Sequence, residues 1–120
     1  MAKVILVVDD SSAIRQSITF VLEQAGYEVV QAQDGADAVT KLSRSFDLVI
    51  SDVNMPNMDG IALTRHIRGL ATHKFVPVLM LTTESQADKM QEGKAAGATG
   101  WIVKPFEPEK LLTVVKKLVG

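Results

Sequence analysis

The chain has 120 residues, 47% of them hydrophobic and 22% charged, with a net charge of −1 and no cysteine. That suffices for one domain with its own core and is too apolar for a disordered chain. The charge gives no electrostatic footing for nucleic acid, the lack of cysteine excludes disulfides and thiolate metal sites, and no apolar run approaches the ~20 residues of a membrane span. Met1-Ala2-Lys3 before "VILVV" is too short for a signal peptide. A soluble, cytoplasmic domain is expected.

In chain order, the first predicted strand is Val4–Val8, apolar without alternation, as suits a parallel strand covered on both faces. It runs into Asp9, Asp10, Ser11 and Ser12. Ile14, Ile18, Val21, Leu22 and Ala25 then recur at helical spacing, closed by Gly26. A second strand is predicted at Tyr27–Val30 and a third at Leu48–Ile50, the latter entering "ISDVNMPNMDG" at residues 50–60. Leu63, Ile67 and Leu70 mark the next helix, with His66 and His73 expected at the surface on or after it. The fourth strand is predicted at Val76–Leu81 and the fifth at Trp101–Val103. Leu111, Leu112, Val115 and Val119 mark the last helix. Five strands alternating with five amphipathic segments imply right-handed crossovers and an α/β doubly wound sheet. No linker, internal repeat or low-complexity tract interrupts residues 1–120, so one domain without an output domain is expected.

The polar residues fall in a pattern. Strand one ends in Asp9 and Asp10, strand three in Asp52, strand four in Thr82 and strand five in Lys104. In open α/β sheets ligands bind outside the carboxyl ends of the strands, so these residues converge on one pocket. Carboxylates so close repel, by about 4 kcal/mol at ~4 Å and an effective dielectric of ~20. A hard divalent cation relieves this, and an all-oxygen set without Cys or His suits Mg²⁺ rather than zinc. A metal, a lysine and a hydroxyl around a carboxylate describe phosphoryl transfer onto an aspartate, with Asp52 the candidate acceptor. Simpler readings exist for single residues. Asp10, Ser11 and Ser12 could cap the first helix, Thr82, Thr83 and Ser85 could cap the fourth, and Asp52 could begin a turn. None explains why all five share one sheet edge. "DVNMPNMDG" is not a calcium loop, because Pro56 occupies the fifth position and Leu63 the twelfth.

"ILVVDDS", "DLVISDVNMPNMDG", "VLMLTTE" and "GATGWIVKPF" together resemble the receiver domains of two-component response regulators. The resemblance runs the full length and is nearest to stand-alone chemotaxis receivers. It implies a flavodoxin-like (βα)5 fold of strand order 2-1-3-4-5. It implies Asp52 as phospho-acceptor, Mg²⁺ held by Asp10, Asp52 and the Asn54 carbonyl, and Asp9 acting largely through water. It also implies Lys104 paired with the phosphoryl group, a cis bond from Lys104 to Pro105, and Thr82 with Trp101 as the switch. Trp101 stands where the family commonly has tyrosine. Asn54 and Glu84 match positions that tune loss of the phosphate. The implied partners are a chemotaxis-type histidine kinase and a downstream protein such as the flagellar motor switch, bound through the α4-β5-α5 surface of a monomer, with neither nucleic acid nor membrane. On this reading the protein is a signalling switch and not an enzyme acting on other substrates. Two rivals are a small Mg²⁺-dependent phosphatase working through an aspartyl-phosphate and a flavin carrier of the same strand order. The first usually needs a substrate cap, and the second needs Ser- and Thr-rich phosphate loops where this chain has carboxylates.

Overall fold

The computed structural model describes residues 2–83 and 87–119. Its elements are β1 (Val4–Val8), α1 (Ser12–Gln24), β2 (Glu28–Ala32), α2 (Gly35–Lys41) and β3 (Leu48–Asp52). They continue with α3 (Gly60–Arg68), β4 (Val78–Thr82), α4 (Ala87–Ala96), β5 (Gly100–Val103) and α5 (Pro108–Val119). The strands form one five-stranded sheet of order β2-β1-β3-β4-β5, parallel throughout.

Because successive side chains in a strand point to opposite faces, the sheet carries two apolar layers. Leu6, Val8, Val49 and Met80 pack with Ala38, Leu42, Leu63, Ile67 and Ala96 from the side of α2, α3 and α4. Ile5, Val7, Ile50, Leu79, Leu81 and Ile102 pack on the other side with Ile18, Leu22, Leu111 and Val115 of α1 and α5. The three central strands are therefore buried on both faces, and each buried Leu or Ile stabilises by roughly 1.5–3 kcal/mol. This is why "VILVV" and "VLMLT" lack alternation.

Element ends depart from the sequence pattern where backbone pairing decides. β3 runs on through Ser51 to Asp52, because Asp52 stands opposite Leu81 in the ladder with β4. β2 starts at Glu28, since the Tyr27 N–H still bonds to the Leu22 carbonyl in the turn that leaves α1, where Gly26 sits at φ 94°. It extends to Ala32 along β1, a pairing indifferent to the polar Gln31. β4 begins at Val78, because the Val76 N–H bonds back to the His73 carbonyl. His73 is not at the surface: it is 4% exposed. The loop after α3 folds under the sheet, where His73 Nε2 lies 2.9 Å from the Arg44 carbonyl and Nδ1 lies 2.8 Å from the Thr72 hydroxyl. Its ring also meets Phe46 at 6.5 Å between centroids. No helical or strand periodicity signals such a burial. His66 is exposed, as expected.

The β3–α3 connection carries the chain from Asp52 to the next helix. Its base is closed by the Gly60 N–H on the Val53 carbonyl at 2.9 Å, and Asp59 caps α3 by accepting the Ala62 N–H at 2.8 Å. A side chain at position 60 would overlap the Asp52 carbonyl oxygen and come within 2.9 Å of the Met80 methyl group. The backbone obstacle cannot move without displacing β3. Gly60→Ala should therefore cost about 1–3 kcal/mol or more in a urea titration. An unchanged midpoint would mean that the loop has slack the packing does not show.

Candidate functional site

Three acids meet at the carboxyl edge of the sheet. Asp9 follows β1 with 0% exposure and Asp52 ends β3 with 8%, while Asp10 faces solvent. One carboxylate oxygen from each lies within 4.8 Å of the others. Lys104, just past β5, reaches between them, with its Nζ 3.3 Å from Asp9 Oδ2 and 3.3 Å from Asp52 Oδ1. The Lys104 N–H bonds to the Thr82 carbonyl across the β4–β5 edge, and the Lys104–Pro105 peptide is cis, as the resemblance implied.

Local structure holds each group. The Ser11 N–H donates to Asp9 Oδ1 at 2.9 Å, and Arg15 Nη1 donates to the Asp9 carbonyl at 2.7 Å. Ser11 is the α1 cap, its hydroxyl oxygen accepting the Ile14 N–H at 3.3 Å. Capping thus falls to Ser11 and leaves Asp10 uncommitted, which resolves the two readings of "DDSS". Arg15 is not legible as a brace, because the five residues between it and Asp9 span a turn and the start of α1. Asp52 Oδ1 accepts the Val53 N–H at 2.9 Å.

Thr82 ends β4 with 0% exposure, and its hydroxyl is the buried side-chain polar atom that lacks a hydrogen-bond partner among the described residues. Such a group costs roughly 1–3 kcal/mol unless something pairs with it. Asn54 is exposed two residues past Asp52, in the loop that leaves β3. Trp101 is half-buried and packs toward α4, where Gly93 leaves a notch; a Cβ at 93 would lie 2.8 Å from the indole Cζ3. Glu84 and Ser85 lie outside the described residues. A cleft of about 490 Å³ opens beside Lys104 between α1 and the turn after β5, with Ile14, Ile18, Pro105 and Phe106 in its walls.

The electrostatics are those of a site short of positive charge. Burial pushes the Asp52 carboxyl above the usual carboxylate range; the Lys104 ammonium opposes this and the Asp9 charge reinforces it. One lysine shared by two buried acids, with a third acid alongside, leaves net negative charge. The donor set is all oxygen and one ligand is solvent-facing, so the residues fit a hard cation of the Mg²⁺ kind.

Residues 5–116 match the response regulator receiver domain family. The chain belongs to that family. Chemotaxis protein CheY4 of Vibrio cholerae has a structure that superposes at a TM-score of 0.93 with 50% identity, covering 98% of this chain and 99% of that one. The receiver domain of sensor histidine kinase PA1611 from Pseudomonas aeruginosa superposes at 0.92 with 28% identity, covering 100% and 99% of the two chains. That structure has a magnesium ion coordinated in its active site cleft. The phosphate regulon transcriptional regulatory protein PhoB of Escherichia coli is 36% identical over 120 residues, 99% of this chain and 52% of that protein. The receiver domain thus spans about half the length of the curated relatives it matches.

The raised Asp52 carboxyl makes a signed prediction. A folded-state pKa above the unfolded value contributes stability that is present below the unfolded value of ~3.9 and is lost as pH rises through the folded one. Asp52→Asn removes that loss, so in EDTA it should raise the melting temperature at pH 7 by a few degrees, with the advantage shrinking toward pH ~4. Wild type should gain about 2.7 kcal/mol from Mg²⁺ at a hundred times its Kd, and the variant much less. Equal melting of wild type with EDTA and with millimolar Mg²⁺ would sink the shared acidic site.

Proposed function

We propose that the receiver domain is a switch that takes a phosphoryl group from a histidine kinase onto Asp52. The observation that carries this reading is the set of groups around one carboxylate: Asp52 ends the central strand, 3.3 Å from the Lys104 ammonium and at the same sheet edge as the unpartnered Thr82 hydroxyl. In the transfer a carboxylate oxygen of Asp52 attacks the phosphorus of a phosphohistidine. The P–N bond breaks, the imidazole leaves and takes up a proton, and an aspartyl-phosphate remains. Asp10, Asp52 and the Asn54 carbonyl would hold Mg²⁺, with Asp9 acting through water. The bound ion would neutralise charge on the phosphoryl oxygens. The Lys104 ammonium, now shared by Asp9 and Asp52, turns to a phosphoryl oxygen, and the Thr82 hydroxyl finds in another the acceptor it lacks. The cleft beside Lys104 gives the donor side chain its way in.

Moving Thr82 toward the phosphate vacates space beside Met80 and Trp101, which face each other across β4 and β5. Trp101 and the α4-β5-α5 surface are therefore the proposed output. Asn54 and Glu84 are proposed to tune how long the phosphate lasts. Family membership favours this switch over the phosphatase considered above. The 50% identity with a chemotaxis protein supports a chemotaxis role; the partners we propose are a chemotaxis-type kinase and a protein target such as the flagellar motor switch, met by a monomer in the cytoplasm. Among the described residues, no helix is long and apolar enough to cross a membrane.

Incubation with acetyl phosphate and Mg²⁺ should add one labile phosphoryl group by intact mass, and Asp52→Asn should abolish it. Full labelling of that variant would move the acceptor elsewhere. Lys104→Arg should still be labelled yet fail to signal, because a guanidinium fork cannot reproduce the contact of a compact ammonium.

Trp101, the sole tryptophan, offers the second test. Beryllofluoride with Mg²⁺ should change its emission and its access to a neutral quencher, and Thr82→Ala should uncouple the change while Mg²⁺ still binds. Such coupling requires that the two states differ in contacts. If the mimic binds and Trp101 does not respond, the indole is packing alone.

A further inference from the structure

Among the described residues, the buried carboxylate outside the acidic site is Asp34, 6% exposed. One oxygen caps α2 by accepting the Asp37 N–H at 2.8 Å. The other accepts Asn57 Nδ2 at 2.8 Å, across 23 residues of sequence and onto the β3–α3 loop. The cap needs only the first bond. Both bonds hold the carboxyl below its usual range, the Asp37 N–H first and the Asn57 amide second, so the pairing is charge-assisted.

Asn57 sits at φ 69°, the left-handed region, and no other non-glycine residue among those described does so. Such a conformation is uncommon for a residue other than glycine and persists where surroundings impose it. Next to it, the Gly35 N–H donates to the Met58 carbonyl at 3.2 Å, and a Cβ at position 35 would overlap Met58. The first turn of α2 therefore grips the tip of the loop twice, while Gly60 and Val53 close its base. Between tip and base lies Asn54, two residues past Asp52 and otherwise exposed.

We propose that Asp34 is a positioning residue for phosphoryl transfer: through Asn57 it fixes the β3–α3 loop so that the Asn54 carbonyl is held for the cation. This rests on the reading of the acidic site given above. It separates two roles of one carboxylate. One oxygen serves the helix and the other serves the site.

The test uses the full chain and three variants. Asn57→Gly keeps the α2 cap, accepts the left-handed backbone at no cost and deletes only the amide. In EDTA its melting temperature should stay near wild type, while hydrogen exchange of amides 54–58 speeds up. Its Kd for Mg²⁺ should rise about tenfold, the low end for outer partners of metal ligands. Acetyl phosphate labelling should slow at low Mg²⁺ and recover at saturation. Asn57→Asp sets two carboxylates face to face and should weaken Mg²⁺ binding further. Combining it with Asp34→Asn restores a donor and an acceptor at the contact and should recover Mg²⁺ affinity. Loop exchange and Mg²⁺ affinity of Asn57→Gly within about twofold of wild type would overturn the proposal and leave Asp34 a helix cap. So would a folded double variant that fails to recover. If Asn57→Gly proves too unstable to measure, the exchanged pair decides alone. Wild type that neither binds Mg²⁺ nor becomes labelled would instead remove the reading of the acidic site, and this inference with it.

Discussion

One ammonium shared by two buried carboxylates organises this protein. Lys104 lies 3.3 Å from both Asp9 and Asp52, and the three groups come from the ends of three different strands. Two carboxylates withdrawn from water at one edge call for a counter-charge, and the lysine supplies it. The ion pairs tie β5 to β1 and β3 across the sheet edge, and they leave Asp10 and the Thr82 hydroxyl unspent. A site built this way holds together without ligand and still has charge and hydrogen-bonding capacity to offer one. Removing the lysine from such an arrangement is costly, because two buried carboxylates are then left without a counter-charge.

The rest of the fold keeps that edge rigid. Strands buried on both faces allow little sideways adjustment, since interiors packed to crystal density transmit displacement. Loops at the carboxyl edge need separate restraint, and those after β1 and β3 have it. Arg15 braces the backbone of Asp9, and the cap on Ser11 fixes the turn after it. α2 holds the loop after Asp52 through Asp34 and Gly35. At the opposite end, Arg68 donates to the carbonyls of Gly97 and Val76 and fastens the end of α4 to the entry of β4. α4 is thus anchored at its far end, while its face toward Trp101 is shaped by Gly93.

Receiver domains of chemotaxis, histidine kinase and transcriptional proteins all superpose on or align with this chain. The likeness runs over nearly the whole of this chain. Beside the acidic edge, the indole at 101 and the glycine at 93 form a matched pair that the edge itself does not require.

The element order, the parallel sheet and the convergence of Asp9, Asp10, Asp52, Thr82 and Lys104 were legible in the sequence, because unbroken apolar runs ending in polar residues are a local pattern. Periodicity records which face a residue buries, and strand polarity records which end it reaches. What the tertiary structure alone decided are the contacts between segments far apart in sequence. Only the fold shows that Ser11 rather than Asp10 caps α1, that β3 runs on to Asp52, and that His73 is buried under the sheet against Arg44. The pairing of Asp34 with Asn57 belongs there too: each residue alone reads as an ordinary cap or turn former, and no local pattern links positions 23 apart. The physical reason is that propensity and hydrophobic period act along the chain over a few residues. The partner of a buried polar group is set by whichever distant backbone or side chain the packing brings within hydrogen-bond distance.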